Sequence, residues 1–101
     1  MKTKEIKLVE LPKTLKIHSQ DKQMTWHEAM DYAASIGMRL PTKFELQAIA
    51  ESTDEFNDLG WCWSSSTQST NTTNAWLVLL NLGYTTNCSK AYSISVLCVK
   101  D

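Results

Sequence analysis

The pattern of apolar and polar positions puts strands at the two ends of the chain and two helices between them. Ile6 and Leu8 alternate with polar neighbours from Glu5 to Leu11, and Leu15 and Ile17 resume the pattern after Pro12. This period of two predicts an N-terminal edge pair of strands within residues 1–20. The period then lengthens. Trp26, Ala29, Met30, Ala33 and Ile36 share one face of a helix over 25–36, and Leu46, Ile49 and Ala50 share one over 43–51. Each helix opens on a capping box, Thr25-Trp26-His27-Glu28 and Thr42-Lys43-Phe44-Glu45, whose threonine and glutamate satisfy each other's backbone amides. Gly37 is placed to end the first helix in a left-handed turn, and Pro41 keeps Leu40 out of helical geometry.

Beyond the helices, Trp61-Cys62-Trp63-Ser64-Ser65 reads as a short strand in which both tryptophans share a face and Cys62 takes the other. Ala75 to Asn81 is a continuous apolar run, with Leu82-Gly83 as a hairpin turn into Tyr84. Tyr92 to Val99 alternates and then becomes wholly apolar, as a central strand does. Residues 64–74 contain only Ser, Thr, Asn and Gln, a composition that predicts a surface loop. The order strand, helix, helix, strands gives one α+β domain over 1–101: two helices packed on a small antiparallel sheet, with sheet and loops over 61–99.

Composition narrows the functional classes. The 101 residues carry ten Lys and Arg against eleven Asp and Glu, a net charge of −1. That balance argues against bulk attraction to nucleic acid or to an anionic membrane, and no apolar run is long enough to span a bilayer. Five of the ten basic residues lie within 1–16, in a segment without a signal-peptide pattern, so the expected compartment is the cytoplasm. Three cysteines, Cys62, Cys88 and Cys98, cannot form a complete disulfide framework, and a Cys88–Cys98 bridge is the pairing left open. Glu51, Asp54, Glu55 and Asp58 form an acidic cluster. From Gly60 to Val99 the only charged residue is Lys90. A neutral stretch of that length is either largely buried or a polar face suited to contact.

The combination Thr25-Trp26, Ala29, Tyr32-Ala33, Arg39-Leu40-Pro41-Thr42, Glu45-Leu46, Trp63-Ser64-Ser65, Ala75-Trp76 and Val96-Leu97-Cys98-Val99-Lys100 resembles bacterial and phage C-type-lectin-like domains over residues 24–100. It is similar, more distantly, to the formylglycine-generating, sulfatase-modifying enzymes and to the variable proteins of diversity-generating retroelements. The resemblance implies a C-type-lectin-like fold that displays loops on a rigid base, and a structural role for Arg39 in hydrogen bonds across the loop region. It does not extend to enzyme chemistry, because the cysteine pattern and length of the sulfatase-modifying enzymes are not matched.

The residues themselves carry no nucleophile, metal or phosphate motif, and no cofactor or metal site is expected. His18 and His27 lie in different elements, and His27 with Asp31 is an ordinary helical pair. Calcium-dependent sugar binding lacks its Glu-Pro-Asn, Gln-Pro-Asp and Trp-Asn-Asp oxygen donors. Trp26, Trp63 and Trp76 supply large area to a small core. The reading that remains is a non-enzymatic protein-binding module, in which Trp63, Thr67, Asn71, Tyr84, Asn87 and Tyr92 form a neutral contact face. Asp54, Glu55 and Asp58 are expected to dock on a basic partner. Size and resemblance together suggest a small phage or mobile-element protein that binds and blocks a host protein. An exported glycan- or surface-binding adhesin module and a phage assembly subunit are the competing readings.

Overall fold

A computed structural model describes residues 2–8 and 14–101. Its elements run in the order β1 (Lys2–Lys7), β2 (Thr14–Met24), α1 (Trp26–Ser35), α2 (Lys43–Ser52), a single 3-10 turn (Asn57–Leu59), β3 (Trp61–Thr67), β4 (Asn74–Leu79), β5 (Tyr84–Ser89) and β6 (Ile94–Lys100). The six strands make one sheet in the order β1-β2-β6-β3-β4-β5. Its neighbours are antiparallel except β3 and β6, which meet in parallel through Cys62 opposite Ser95. The sheet is therefore mixed, which corrects the expectation of a wholly antiparallel one. The apolar run Val96-Leu97-Cys98-Val99 takes a central place, between strands distant in sequence, because both of its faces need cover.

Alternation along the strands splits the core into two clusters, one on each face. Trp61, Trp63, Leu77, Val96 and Cys98 pack with Ala29 and Ala33 of α1. Cys62, Val78, Leu97, Val99, Leu15 and Ile17 pack with Leu46 and Ile49 of α2. The two helices thus cover opposite faces of the sheet. The tryptophans of β3 lie on the α1 side and Cys62 on the other, as their spacing requires.

Both helices begin as their sequences dictate, with complete capping boxes at Thr25 and Thr42. Gly37, at φ +72°, ends α1 in a Schellman turn: the Met38 amide donates to Ala33 and the Gly37 amide to Ala34. The N-terminal pair forms, but with β1 at Lys2–Lys7 rather than 5–11; residues 9–13 of that expectation lie outside the described residues. The strand read over Trp61–Ser65 forms and runs two residues further, through Ser66 and Thr67 of the stretch expected as a loop. Ser64–Thr67 continue β3 past a break in register with β4. The hydroxyl of fully buried Ser64 donates to the Trp76 carbonyl at 2.8 Å and accepts from the Ser66 amide at 3.1 Å. A serine whose hydroxyl is bonded on both sides packs as well as an apolar residue. Residues 84–89 form the edge strand β5 because the hairpin turn at Leu82-Gly83 lays them against β4 in unbroken register.

Between the helices the chain crosses from one face of the sheet to the other at Arg39. Its backbone exchanges two hydrogen bonds with Val99 of β6, at 3.0 and 2.7 Å. Its guanidinium grips Glu45 through both carboxylate oxygens, at 2.7 and 2.9 Å, and reaches the Asp101 carboxylate at 2.7 Å. Glu45 is only 3% exposed and also accepts from the Thr42 amide. The Glu45 carboxylate, with that of Asp101, raises the guanidinium's affinity for its proton above the ordinary arginine value. Removing the cation leaves a buried carboxylate without its partner, so Arg39→Met is expected to cost about 2–3 kcal/mol, less than a fully buried pair because Arg39 is partly exposed. Urea and thermal unfolding check this, with Tm falling roughly 10–20 °C and the paired variant Arg39→Met/Glu45→Met recovering part of the loss.

Candidate functional site

Most of the polar and aromatic residues that the sequence offers for contact lie at the β4–β5 edge and the loops beside it. Thr67 ends β3 opposite Ala75 and is half-buried. Asn71 lies exposed in a loop tied together by its own side chains: Gln68 Oε1 accepts from the Thr70 and Asn71 amides, and Asn71 Oδ1 accepts from the Thr73 amide and hydroxyl. Asn87 of β5 accepts from the Asn74 side-chain amide at 2.9 Å. Tyr92 follows β5, its amide donating to the Ser89 carbonyl, and its side chain is 62% exposed. These four gather toward the C-terminal end of β5. Tyr84 is equally exposed but starts the strand, at the other end.

The expected neutral face is therefore not one face. Tyr84 and Asn87 point to opposite sides of β5, since their positions differ in parity. Trp63 is not a contact residue at all. It is fully buried, and its indole N–H donates to the Met24 carbonyl at 2.9 Å, so it belongs to the core under α1. Of the acidic residues, Asp54 and Asp58 are exposed, whereas Glu55 is half-buried and forms an ion pair with Lys4 of β1. Glu55 thus ties the α2–β3 connection to the first strand instead of waiting for a basic partner.

An open cavity of about 650 Å³ adjoins the C-terminal end of β5, lined by Thr25, His27, Thr72, Thr73, Ser89, Lys90 and Ala91. Lys90 is held there by its backbone: its amide donates to Thr73 and its carbonyl accepts from the Trp26 amide. Its ammonium sits 4.1 Å from the centre of the Trp26 ring. The hydroxyls, the Lys90 ammonium and His27 make a polar cup. Beside it, the Thr25 amide and hydroxyl hold the Glu28 carboxyl below its ordinary pKa. The sequence marked Lys90 as the lone charge of the neutral stretch, but its partnership with Trp26 spans 64 positions and left no local signal. His18 carries a second unforeseen arrangement, with Nε2 2.9 Å from the Tyr32 hydroxyl and Nδ1 2.8 Å from Thr3 Oγ1.

The three cysteines are free thiols. Cys88 and Cys98 lie on strands with β3 and β4 between them. Burial pushes the Cys98 thiol up to about 12 and raises those of Cys62 and Cys88 as well, so none is activated as a nucleophile. Among the described residues, no three His, Cys, Asp or Glu side chains group as metal ligands. No helix among them is long and apolar enough to cross a membrane.

The fold and this edge define a small α+β domain with a helix on each face of a mixed sheet. The model of a family described as a domain of unknown function (DUF8780) matches residues 16–100, and the chain belongs to that family. No curated protein matches it.

The division between core and surface aromatics is testable. Trp63→Ala is expected to cost about 3–5 kcal/mol, whereas Tyr84→Ala and Tyr92→Ala are expected to stay within roughly 0.5 kcal/mol of the parent. Denaturant titration of the three variants measures both.

Proposed function

We propose that this chain is a non-enzymatic protein-binding module whose β5 edge takes an extended segment of a partner protein as an added strand. The observation that supports the reading is the contrast between the two edges of the sheet. Exposed edges invite pairing with other chains, and proteins guard them with charge, proline or bulges. β1 is guarded: four of its six residues, Lys2, Lys4, Glu5 and Lys7, are charged. β5, Tyr84-Thr85-Thr86-Asn87-Cys88-Ser89, has no charge and no proline, and its register with β4 is unbroken. Among the described residues its outward backbone groups, apart from the Ser89 carbonyl that accepts from the Tyr92 amide, are open to an incoming backbone, the recognition mode in which main-chain hydrogen bonds supply affinity and side-chain pockets supply specificity.

The occupant that fits is an uncharged, β-branched segment with a carboxylate near the end that reaches the Lys90 cup. A second copy of the chain fits less well. Thr85, Thr86 and Asn87 offer little apolar area, whereas lasting homodimer interfaces are more apolar. Blocking follows from this mode of binding, because a segment held as an added strand has its backbone groups withheld from other partners. The phage or mobile-element role, the host target and the cytoplasmic setting belong to the same proposal; three free thiols support a reducing compartment. The C-type-lectin-like kinship is part of the same proposal, supported by the Arg39-Leu40-Pro41-Thr42 corner with its cross-loop hydrogen bonds.

A random peptide library selected against the full chain tests the reading. Selected peptides are expected to be extended sequences with an acidic end, to cross-link to residues 84–89, and to bind roughly tenfold or more weakly to Thr86→Lys, with its Tm unchanged. Peptides that bind Thr86→Lys as tightly as the parent, or a stable dimer in sedimentation, would contradict it.

A further inference from the structure

A second polar site lies away from β5, between the C-terminal end of α1 and the strands β1, β2 and β6. It is a groove of about 370 Å³ lined by Thr3, Lys16, His18, Tyr32, Ile36, Met38 and Lys100. Its size falls within the range of small-molecule sites.

Two features of the groove are hard to explain as structure alone. Lys16 of β2 and Lys100 of β6 are direct cross-strand partners, so two ammonium groups project side by side from the same face. Like charges in that position oppose the pairing of their strands. Glu5 faces Lys16 from β1, yet the row Glu5, Lys16, Lys100 still carries one net positive charge. Neither lysine forms an ion pair among the described residues; Glu5 and Asp101 lie near both, and the Asp101 side-chain carboxylate is held by Arg39. The second feature is the chain Thr3, His18, Tyr32. Both imidazole nitrogens are engaged, at 2.8 and 2.9 Å, and the histidine and tyrosine rings lie 6.2 Å apart and nearly parallel. The imidazole fixes the position of two hydroxyls at the wall of a groove that, among the described residues, has no carboxylate in its lining.

The remaining wall is apolar. Ile36 is 40% exposed at the end of α1, and Met38 is half-buried beside it. We propose that this groove binds a small organic oxyanion, a phosphate or carboxylate group on a compact apolar body. The anion lies between the Lys16 and Lys100 ammonium groups and the one hydroxyl, Tyr32 or Thr3, that accepts from the imidazole N–H and so keeps its own proton to donate, and the apolar body lies against Ile36 and Met38. Ammonium groups and hydroxyls together give the charge-assisted bonds that oxyanions take. The anion removes the repulsion that the empty groove bears.

The experiment is a backbone-amide NMR titration of the full chain with phenyl phosphate, benzoate and inorganic phosphate. Phenyl phosphate or benzoate is expected to give saturable shifts confined to residues around Lys16, His18, Tyr32, Met38 and Lys100; the tighter of the two identifies the head group. Inorganic phosphate, which lacks the apolar body, is expected to bind more weakly. Lys16→Gln and Lys100→Gln should each weaken binding roughly three- to fivefold, as expected for exposed charge pairs. A readout independent of ligand accompanies them: Lys100→Gln should raise the Tm of the free protein, because it removes the like-charge pair. Shifts that do not saturate, that track lysines elsewhere such as Lys4 and Lys22, or that survive both substitutions would overturn the proposal. So would a lower Tm for Lys100→Gln, which would make that lysine a structural group.

Discussion

The fold turns on one buried carboxylate. Glu45 accepts both guanidinium nitrogens of Arg39 and the Thr42 amide, all from a position almost closed to solvent. The same guanidinium reaches Asp101, and the Arg39 backbone is bonded to Val99 in the central strand. One side chain therefore joins the start of α2, the crossing between the two faces and the C-terminal end of β6. A buried ion pair adds little net stability by itself, since desolvation offsets its attraction. Its effect here is to favour one arrangement: a course that moves Arg39 away leaves the buried Glu45 carboxylate without its cation.

That corner allows so short a chain to cover both faces of a sheet. With α1 on one side and α2 on the other, β6 and β3 are enclosed, and the exposed backbone of the sheet is confined to its two edges. The edges are treated differently. Charge and the Lys4–Glu55 pair close off β1, while β5 is neutral and regular and ends at the Lys90 cup. A rigid centre with one unguarded edge suits recognition of an extended segment, because little conformational entropy is lost on the protein's side.

Local signals were read well from the sequence. Both capping boxes, the Gly37 turn, the hairpin at Gly83, the central β6 and the shared face of Trp61 and Trp63 are written in spacings of a few residues. Non-local pairings were not. Nothing near Val96 shows that it runs parallel to β3, so the mixed sheet was missed. Composition gives no sign that β3 continues through Ser66 and Thr67: a serine with both hydrogen bonds met, such as Ser64, can be buried, and threonine-rich segments pair readily as strands. The place of Trp63 in the neutral stretch points to contact. Its parity within β3, already legible, puts it under α1. The Lys90–Trp26 and His18–Tyr32 contacts join residues from different elements and became visible only with the topology.

The central claim is that β5 is an open edge on a fixed base. Native-state amide hydrogen exchange on the free protein tests it most directly. The account predicts strong protection through β6, β2 and the start of α2, and an alternating pattern along 84–89, where amides bonded to β4 are slow and those facing outward are fast. Uniform slow exchange along β5 would show that its edge is already occupied and would contradict the account.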